Sequence, residues 1–332
     1  MRIEIWADVV CPWAYIGKRR LEAALAGWDG EPVEVVWRPF RIDPMAPRKA
    51  EPLAEWQIDP LVDEVLNACT PDGLSPVENA TRVSRIAADA GLGTPFGAVW
   101  RADSGPAHRL IALAYETCGA ALQNAVVEEI LKAHFVTARD ISNPEVLAEA
   151  ARAAGFADGG DLLASGAGAD RVREDLLRGK AIGVRSSPTL VAGKRALAGA
   201  QSPEAMTAFL RETAGTPPER ELPEEVERLR LAESLLDRRD PLGALTLLRP
   251  LLADHGTEWS VRVLAARAYY HSAQLERART ELESLTAHSP DDAYLRLLLG
   301  RTLERQGRAE EATAHLRLAA AMRPEERDAD AV

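Results

Sequence analysis

The sequence predicts an α/β domain with a large helical insertion, followed by a separate all-α domain. Three observations carry this reading. A strand–helix–strand pattern opens the chain, and a hairpin followed by a helix returns near residue 190, with only helical periods between them. A stretch dense in proline and glycine then interrupts the chain at residues 214–223. Beyond it, apolar and small residues recur every 34 positions. At 332 residues the chain is long enough to bury two cores.

Arg2–Ala7 alternates and reads as a strand. Pro12–Gly27 carries Ile16, Leu21, Ala24 and Leu25 at helical spacing. Val33–Phe40 is β-rich, so the unit is βαβ and its two strands should be parallel. The insertion, residues 45–182, is rich in Ala, Leu and Arg, with helices expected at Val77–Ala90, Ala107–Thr117, Ala125–Thr137 and Pro144–Ala154. Thr189–Val191 and Arg195–Ala198 flank Ala192-Gly-Lys194, a hairpin signal. Ser202 and Pro203 then open a last helix as N-cap and first helical residue. The first domain is placed at residues 1–213.

Residues 224–332 repeat. Leu229, Ala232, Leu235, Ala244, Leu248 and Leu251 recur as Val263, Ala266, Tyr269, Ala278, Leu282 and Leu285, then as Leu297, Gly300, Leu303, Ala312, Leu316 and Ala319. Pro290 and Pro324 close the second and third units. A 34-residue period with small residues where two helices touch resembles the tetratricopeptide repeat. The first unit departs from it, with Arg239-Asp-Pro241 where the third has Gly307, and with no closing proline. The resemblance implies three helix pairs and a surface for a peptide or protein partner or for self-association. A homodimer is the simplest assembly. Leu295, Leu298 and Leu299 are the candidates to face outward.

Hydrophobic residues are 46% and charged residues 27%, which excludes a fibrous or wholly disordered chain. Residues 220–332 carry 17 Arg and no Lys against 21 acidic residues, and the preceding residues carry 23 basic against 30 acidic. Both parts are net acidic, so neither nucleic acid nor a membrane is expected as a partner. The first residues alternate and contain no apolar leader core, so a cytoplasmic location is expected. Cys11, Cys69 and Cys118 are too few for a disulfide framework. Cys118 lies in an apolar helical run and is expected to be buried, whereas Cys69 precedes the turn signal Thr70-Pro-Asp-Gly73 and is expected to be exposed. No metal-ligand spacing and no phosphate-binding glycine loop is present.

Cys11-Pro12-Trp13-Ala14 stands where the first strand meets the first helix. Unpaired N–H groups and the positive dipole end at a helix start favour a thiolate, so the Cys11 pKa is expected below about 8.5. From position alone, Cys11 is equally well a small residue at a capping position. The segment Asp8-Val-Val-Cys-Pro-Trp-Ala-Tyr-Ile-Gly-Lys-Arg-Arg20 is similar to the active-site segment of the DsbA family, most closely its FrnE-like branch, which reads Cys-Pro-Trp-Cys. Ala107-His-Arg-Leu110, Arg139-Asp-Ile141, Gly183-Val-Arg-Ser-Ser-Pro-Thr189 and Gly199-Ala-Gln-Ser-Pro203 match in the same order. The resemblance spans nearly all of residues 1–213 and leaves the repeats outside it.

It implies a thioredoxin fold and a thiol–disulfide oxidoreductase with Cys11 as nucleophile. Pro12 and Trp13 shape the helix start, and Ser187-Pro188 forms a substrate-facing cis-proline loop. The second redox cysteine would fall at Ala14, so this motif cannot run a dithiol cycle. Three explanations stand. Ala14 is an engineered replacement of a native cysteine, or the protein is a natural monothiol enzyme using an external thiol, or it is a relative of the 2-hydroxychromene-2-carboxylate isomerases. Those isomerases usually carry Ser at the first position, which speaks against the third. No tightly bound cofactor is implied; a low-molecular-weight thiol such as glutathione or mycothiol would complete a monothiol cycle. His108 is a candidate for substrate binding and proton transfer, or else a structural histidine beside an ion-paired Arg109. Asp103 stands where relatives tend to have Asn. The rival functions are a thiol-dependent isomerase or tailoring enzyme for a small aromatic or polyketide-like molecule, and a non-redox binding protein acting through the repeats.

Overall fold

The structure is a computed structural model that describes residues 1–53, 73–216 and 222–322. Cys69, much of the expected linker and Pro324 lie outside the described residues. The chain divides into two compact units, Met1–Gly179 with Gly183–Arg220, and Lys180–Ile182 with Glu221–Val332.

Among the described residues up to Thr216 the order is β1 (Arg2–Ala7), α1 (Pro12–Ala26), β2 (Glu34–Pro39), β3 (Glu51–Pro52), α2 (Pro76–Asp89), β4 (Trp100–Arg101), α3 (Gly105–Phe135), α4 (Pro144–Ala153), α5 (Gly159–Ala164), α6 (Ala169–Ile182), β5 (Thr189–Ala192), β6 (Arg195–Ala198) and α7 (Pro203–Ala214). The main sheet runs β2-β1-β5-β6. As the βαβ pattern requires, β1 and β2 are parallel, with Ile5 beside Trp37. Strand β5 is antiparallel to both β1 and β6. Ile3, Ile5 and Trp37 join one apolar core with residues of α1, α3 and α7. Trp6 points to the other face, where a Cβ on Gly179 would come within 2.6 Å of its ring, so α6 can lie there only with glycine at that position. The insertion also holds the short antiparallel pair β3–β4, which has no periodic signal in the sequence.

Helix α3 takes in the helix expected at 107–117 and that expected at 125–137 as far as Phe135, with non-helical backbone between them at Cys118 and Gly119. Gly119 has φ 72°, a conformation that disfavours other residues. The break turns Cys118 out to solvent, contrary to the expected burial. By length and composition alone α3 is long and apolar enough to cross a membrane. Here its Leu110, Val127, Ile130 and Leu131 are buried in the domain core. Buried Gln123 spans the break and closes the edge of the sheet. Its amide accepts from Trp37 N–H at 2.8 Å and donates to the carbonyls of Trp37 (3.0 Å) and Ile111 (3.3 Å).

From residue 222 onward the described residues form six helices: α8 (Glu224–Asp237), α9 (Pro241–Asp254), α10 (Trp259–His271), α11 (Leu275–His288), α12 (Ala293–Arg305) and α13 (Ala309–Met322). They pack as three successive pairs, each also against the next. Ala232, Ala266, Ala244, Ala278 and Ala312 are buried where helices meet. A Cβ on Gly300 would lie 2.7 Å from Leu316, so the closest approach demands glycine. Arg239, Ala273 and Gly307, 34 residues apart, turn each pair with φ of 63°, 60° and 78°. The first unit thus makes the same left-handed turn as the third without its glycine. Leu295, Leu298 and Leu299 are buried, which corrects the expectation that some face outward; Leu297 is the exposed one, at 38%. The reason is that α12 lies between α11 and α13 and buries two faces.

Candidate active site

Strand β1 delivers Asp8, and a turn closed by Cys11 N–H on the Asp8 carbonyl (3.0 Å) places Cys11 as the N-cap of α1. Pro12 follows at the first helical position, where no N–H is missed. The Cys11 side chain caps nothing. Its Sγ instead donates to the Ser187 carbonyl at 3.4 Å. The Ser187–Pro188 peptide is cis, as the resemblance implies. Ser187 Oγ accepts the Asp8 N–H at 2.9 Å, tying this loop to the end of β1. A Cβ on Gly17 would sit 3.1 Å from Pro188 Cγ, so α1 and the proline loop meet at a glycine. Cys11, Pro12, Ser187 and Pro188 therefore form one site from segments distant in sequence.

Cys11 is only 6% exposed. Burial pushes its thiol up to about 11, and the nearby Asp8 charge adds to the rise. The Ser187 hydroxyl and the Ala14 and Trp13 backbones close to the sulfur act in the opposite direction and are outweighed. The expected depressed pKa is thus corrected. Helix-start N–H groups favour a thiolate, but desolvation of a sulfur in a core position is the larger effect. Ala14 is 0% exposed, so the position aligned with a second redox cysteine is inside the protein. Trp13 is half-buried, with the Arg82 guanidinium of α2 5.5 Å above its ring.

His108 is brought to this site through Asp8, with Nε2 3.3 Å from Asp8 Oδ1. Among the described residues Arg109 meets no acidic partner; it donates to the carbonyls of Leu163 (2.7 Å) and Ala167 (2.8 Å). Asp103 pairs with Arg41 at 2.7 Å and accepts Gly105 N–H at 2.9 Å, an anchor for the start of α3.

Asp8 had no assigned role in the sequence reading. It is 0% exposed, and Oδ2 accepts Ile42 N–H at 2.7 Å. Its signal was an acid ending an apolar strand three residues before the cysteine. His134, also unassigned, is buried near it, and burial pushes the imidazole down to about 4. Helix α1 is itself held by buried Lys18, which meets Glu128 of α3 at 2.7 Å, while Tyr15 donates to Glu128 at 2.7 Å. Burial alone would raise the Glu128 carboxyl; these donors and Arg19 hold it below the usual range. Among the described residues no cluster of three or more His, Cys, Asp or Glu is placed to hold a metal.

A thioredoxin-type sheet, a cysteine at the start of its first helix and a cis-proline loop against the sulfur define the class: a DsbA-like thioredoxin-fold protein, here extended by helical repeats. The chain belongs to the family of the DSBA-like thioredoxin domain, whose model matches residues 2–211. A tetratricopeptide repeat model matches residues 235–301. A solved probable DsbA oxidoreductase from Streptomyces coelicolor is 28% identical, with a TM-score of 0.54 over 67% of this chain and 94% of that one. The cytosolic disulfide reductase DsbM of Pseudomonas aeruginosa, solved with GSH, is 20% identical, with a TM-score of 0.41 over 64% of this chain and 98% of that one. The uncharacterized protein YwbO of Bacillus subtilis (strain 168) is 32% identical over 73 residues, 20% of this chain. That match spans only 35% of the curated relative's length.

Proposed function

We propose that this protein is a monothiol member of its family, a cytoplasmic thiol–disulfide oxidoreductase in which Cys11 is the nucleophile and an external thiol resolves. The observation that carries the reading is Cys11 Sγ held 3.4 Å from the Ser187 carbonyl, with a buried methyl group at Ala14. In the first step the Cys11 thiolate attacks a disulfide R–S–S–R′. An S–S bond forms at Cys11, and R′–S⁻ leaves with the electron pair of the broken bond. With no thiol at Ala14, the mixed disulfide waits for a second thiol from solution. Its thiolate takes R as a new disulfide and releases Cys11 as thiolate, so the external thiol supplies the electrons. Glutathione or mycothiol suits that role, and the cycle fits a compartment that keeps thiols reduced. Ser187 and Pro188 lie against the helix start that carries Cys11, Trp13 follows it in α1, and His108 reaches the site through Asp8. The repeats serve a peptide or protein partner or a homodimer, which light scattering of the full chain tests.

The decisive experiment loads Cys11 with a small thiol and follows its release by mass spectrometry, in this chain and in Ala14→Cys. Release in this chain should depend on added thiol, while Ala14→Cys should release without it and gain insulin reduction. Thiol-independent release in both would refute the monothiol cycle.

A further inference from the structure

Two segments that meet the Cys11 sulfur each bring an arginine. The first is the start of α1. The Trp13 backbone lies close to the sulfur, and its half-buried ring carries the Arg82 guanidinium of α2 at 5.5 Å. Asn79, one turn earlier in α2, aims that side chain: its Oδ1 accepts from Arg82 Nε (3.2 Å) and Nη2 (3.0 Å). Asn79 is neutral, so it orients the guanidinium and leaves its charge in place. The second segment is the proline loop, whose Ser187 carbonyl accepts from Cys11 Sγ. Arg185 is exposed and stands two residues before Ser187, which keeps the two Cα atoms within about 7 Å of each other.

Among the described residues neither Arg82 nor Arg185 meets a carboxylate. The arginines of the neighbouring loops differ in this: Arg41 is neutralised by Asp103 at 2.7 Å and Arg101 by Asp43 at 2.8 Å. The acid beside the sulfur, Asp8, is fully buried and turned onto Ile42 N–H (2.7 Å) and His108 (3.3 Å). Two uncompensated positive charges thus border the site of a chain whose net charge is -11. A guanidinium presents a planar fork that matches a carboxylate. Arg82 is stacked and hydrogen-bonded before any ligand arrives, so little side-chain entropy is lost on binding.

We propose that Arg82 and Arg185 form a carboxylate-recognition subsite at Cys11, which selects an anionic external thiol of the glutathione type over an uncharged sugar thiol of the mycothiol type. In glutathione the cysteine stands between two residues that each end in a carboxylate. Its sulfur can therefore meet Cys11 while a carboxylate reaches a cation several bonds away. Mycothiol presents hydroxyls and amides and no carboxylate, so it gains nothing from the two charges. The inference rests on the monothiol reading for the entry of an external thiol at this site.

Alkylation of Cys11 by iodoacetate and by iodoacetamide tests the charge, on the full chain carrying Cys69→Ser and Cys118→Ser. The reagents differ by a carboxylate and both consume the thiolate, so the ratio of their rates does not depend on how much thiolate is present. In Arg82→Gln the ratio of iodoacetate to iodoacetamide rates should fall about fivefold, the value of one contact ion pair in a water-like dielectric. Arg185→Gln should lower it as well. Raising salt from about 0.01 to 1 M should lower the same ratio in the chain with both arginines, which covers variants that fail to fold. A ratio that neither substitution lowers would overturn the proposal, as would one indifferent to salt. Protection identifies the ligand class. S-methylglutathione, which keeps both carboxylates and has no free thiol, should shield Cys11 from iodoacetamide at about fivefold lower concentration than in Arg82→Gln. Its dimethyl ester should shield more weakly, and equal shielding by acid and ester would overturn the proposal. These readouts involve no disulfide exchange. Thiol-independent release from Cys11 would end the monothiol reading and leave the charge ratios standing, and unchanged ratios would leave that reading intact.

Discussion

Replacing Gln123 by Leu isolates the one side chain that closes the β2 edge and spans the break in α3. The wild-type amide makes three hydrogen bonds, to Trp37 N–H, Trp37 C=O and Ile111 C=O. Leucine fits a similar volume but leaves these three backbone groups without that partner in the core. An orphaned buried polar group costs about 1–3 kcal/mol. Burying the added apolar surface of leucine returns about 1–2 kcal/mol. With the carbonyls at the low end and the N–H near the middle, the expected loss is about 2–3 kcal/mol. Six of the seven tryptophans, all but Trp259, precede residue 101, so tryptophan fluorescence during urea unfolding reports chiefly on the first unit. The midpoint should fall with the slope unchanged, since the exposed surface is the same. The change should also reach the site, because β2 leads directly into Ile42, which holds Asp8 Oδ2. A loss below about 1 kcal/mol would refute the reasoning, because the orphaned groups would then have found other partners at little cost.

Three further outcomes follow from the same contacts. Ser187→Ala removes a hydroxyl that favours the Cys11 thiolate, so iodoacetamide labelling of Cys11 should slow at every pH below about 11 and its inflection should rise further; a faster reaction would show that exposure, not the hydroxyl, controls the sulfur. His134 is held neutral, with its imidazole pushed down to about 4, while the unfolded chain takes up this proton near its ordinary value of 6.5. The stability it contributes is complete above 6.5 and is lost as pH falls toward 4, and His134→Phe should flatten that slope in urea titrations run across the window. Arg239→Gly and Ala273→Gly should each stabilise the repeats by about 0.5–1 kcal/mol, since both residues hold φ near 60°, and Gly307→Ala should cost a similar amount; thermal melts of the repeats checking all three would contradict the shared left-handed turn if the signs were reversed.

Local and periodic features were determined by the sequence by itself. Pro12 as first helical residue, Ser202 as cap and the alternation of β1 are decided by neighbours within a few positions, and the structure places each as read. The 34-residue repeat was equally legible, because Ala232, Ala266 and Gly300 must be small wherever two helices cross at that spacing. The motif around Cys11 and the Ser187-Pro188 loop were also legible, through resemblance. What only the tertiary structure decided is burial, and with it chemistry. A helix start argues for a thiolate at Cys11, yet the fold desolvates that sulfur and reverses the direction of its pKa shift. Cys118 sits in an apolar run, but a break at Gly119 faces it outward, and Leu295, Leu298 and Leu299 turn inward because α12 has neighbours on two sides. Asp8 and His108, 100 residues apart, become partners only when α3 is laid beside the end of β1. Periodicity states which face of an element is apolar, whereas the local dielectric and the partner across the gap depend on what the rest of the chain brings there.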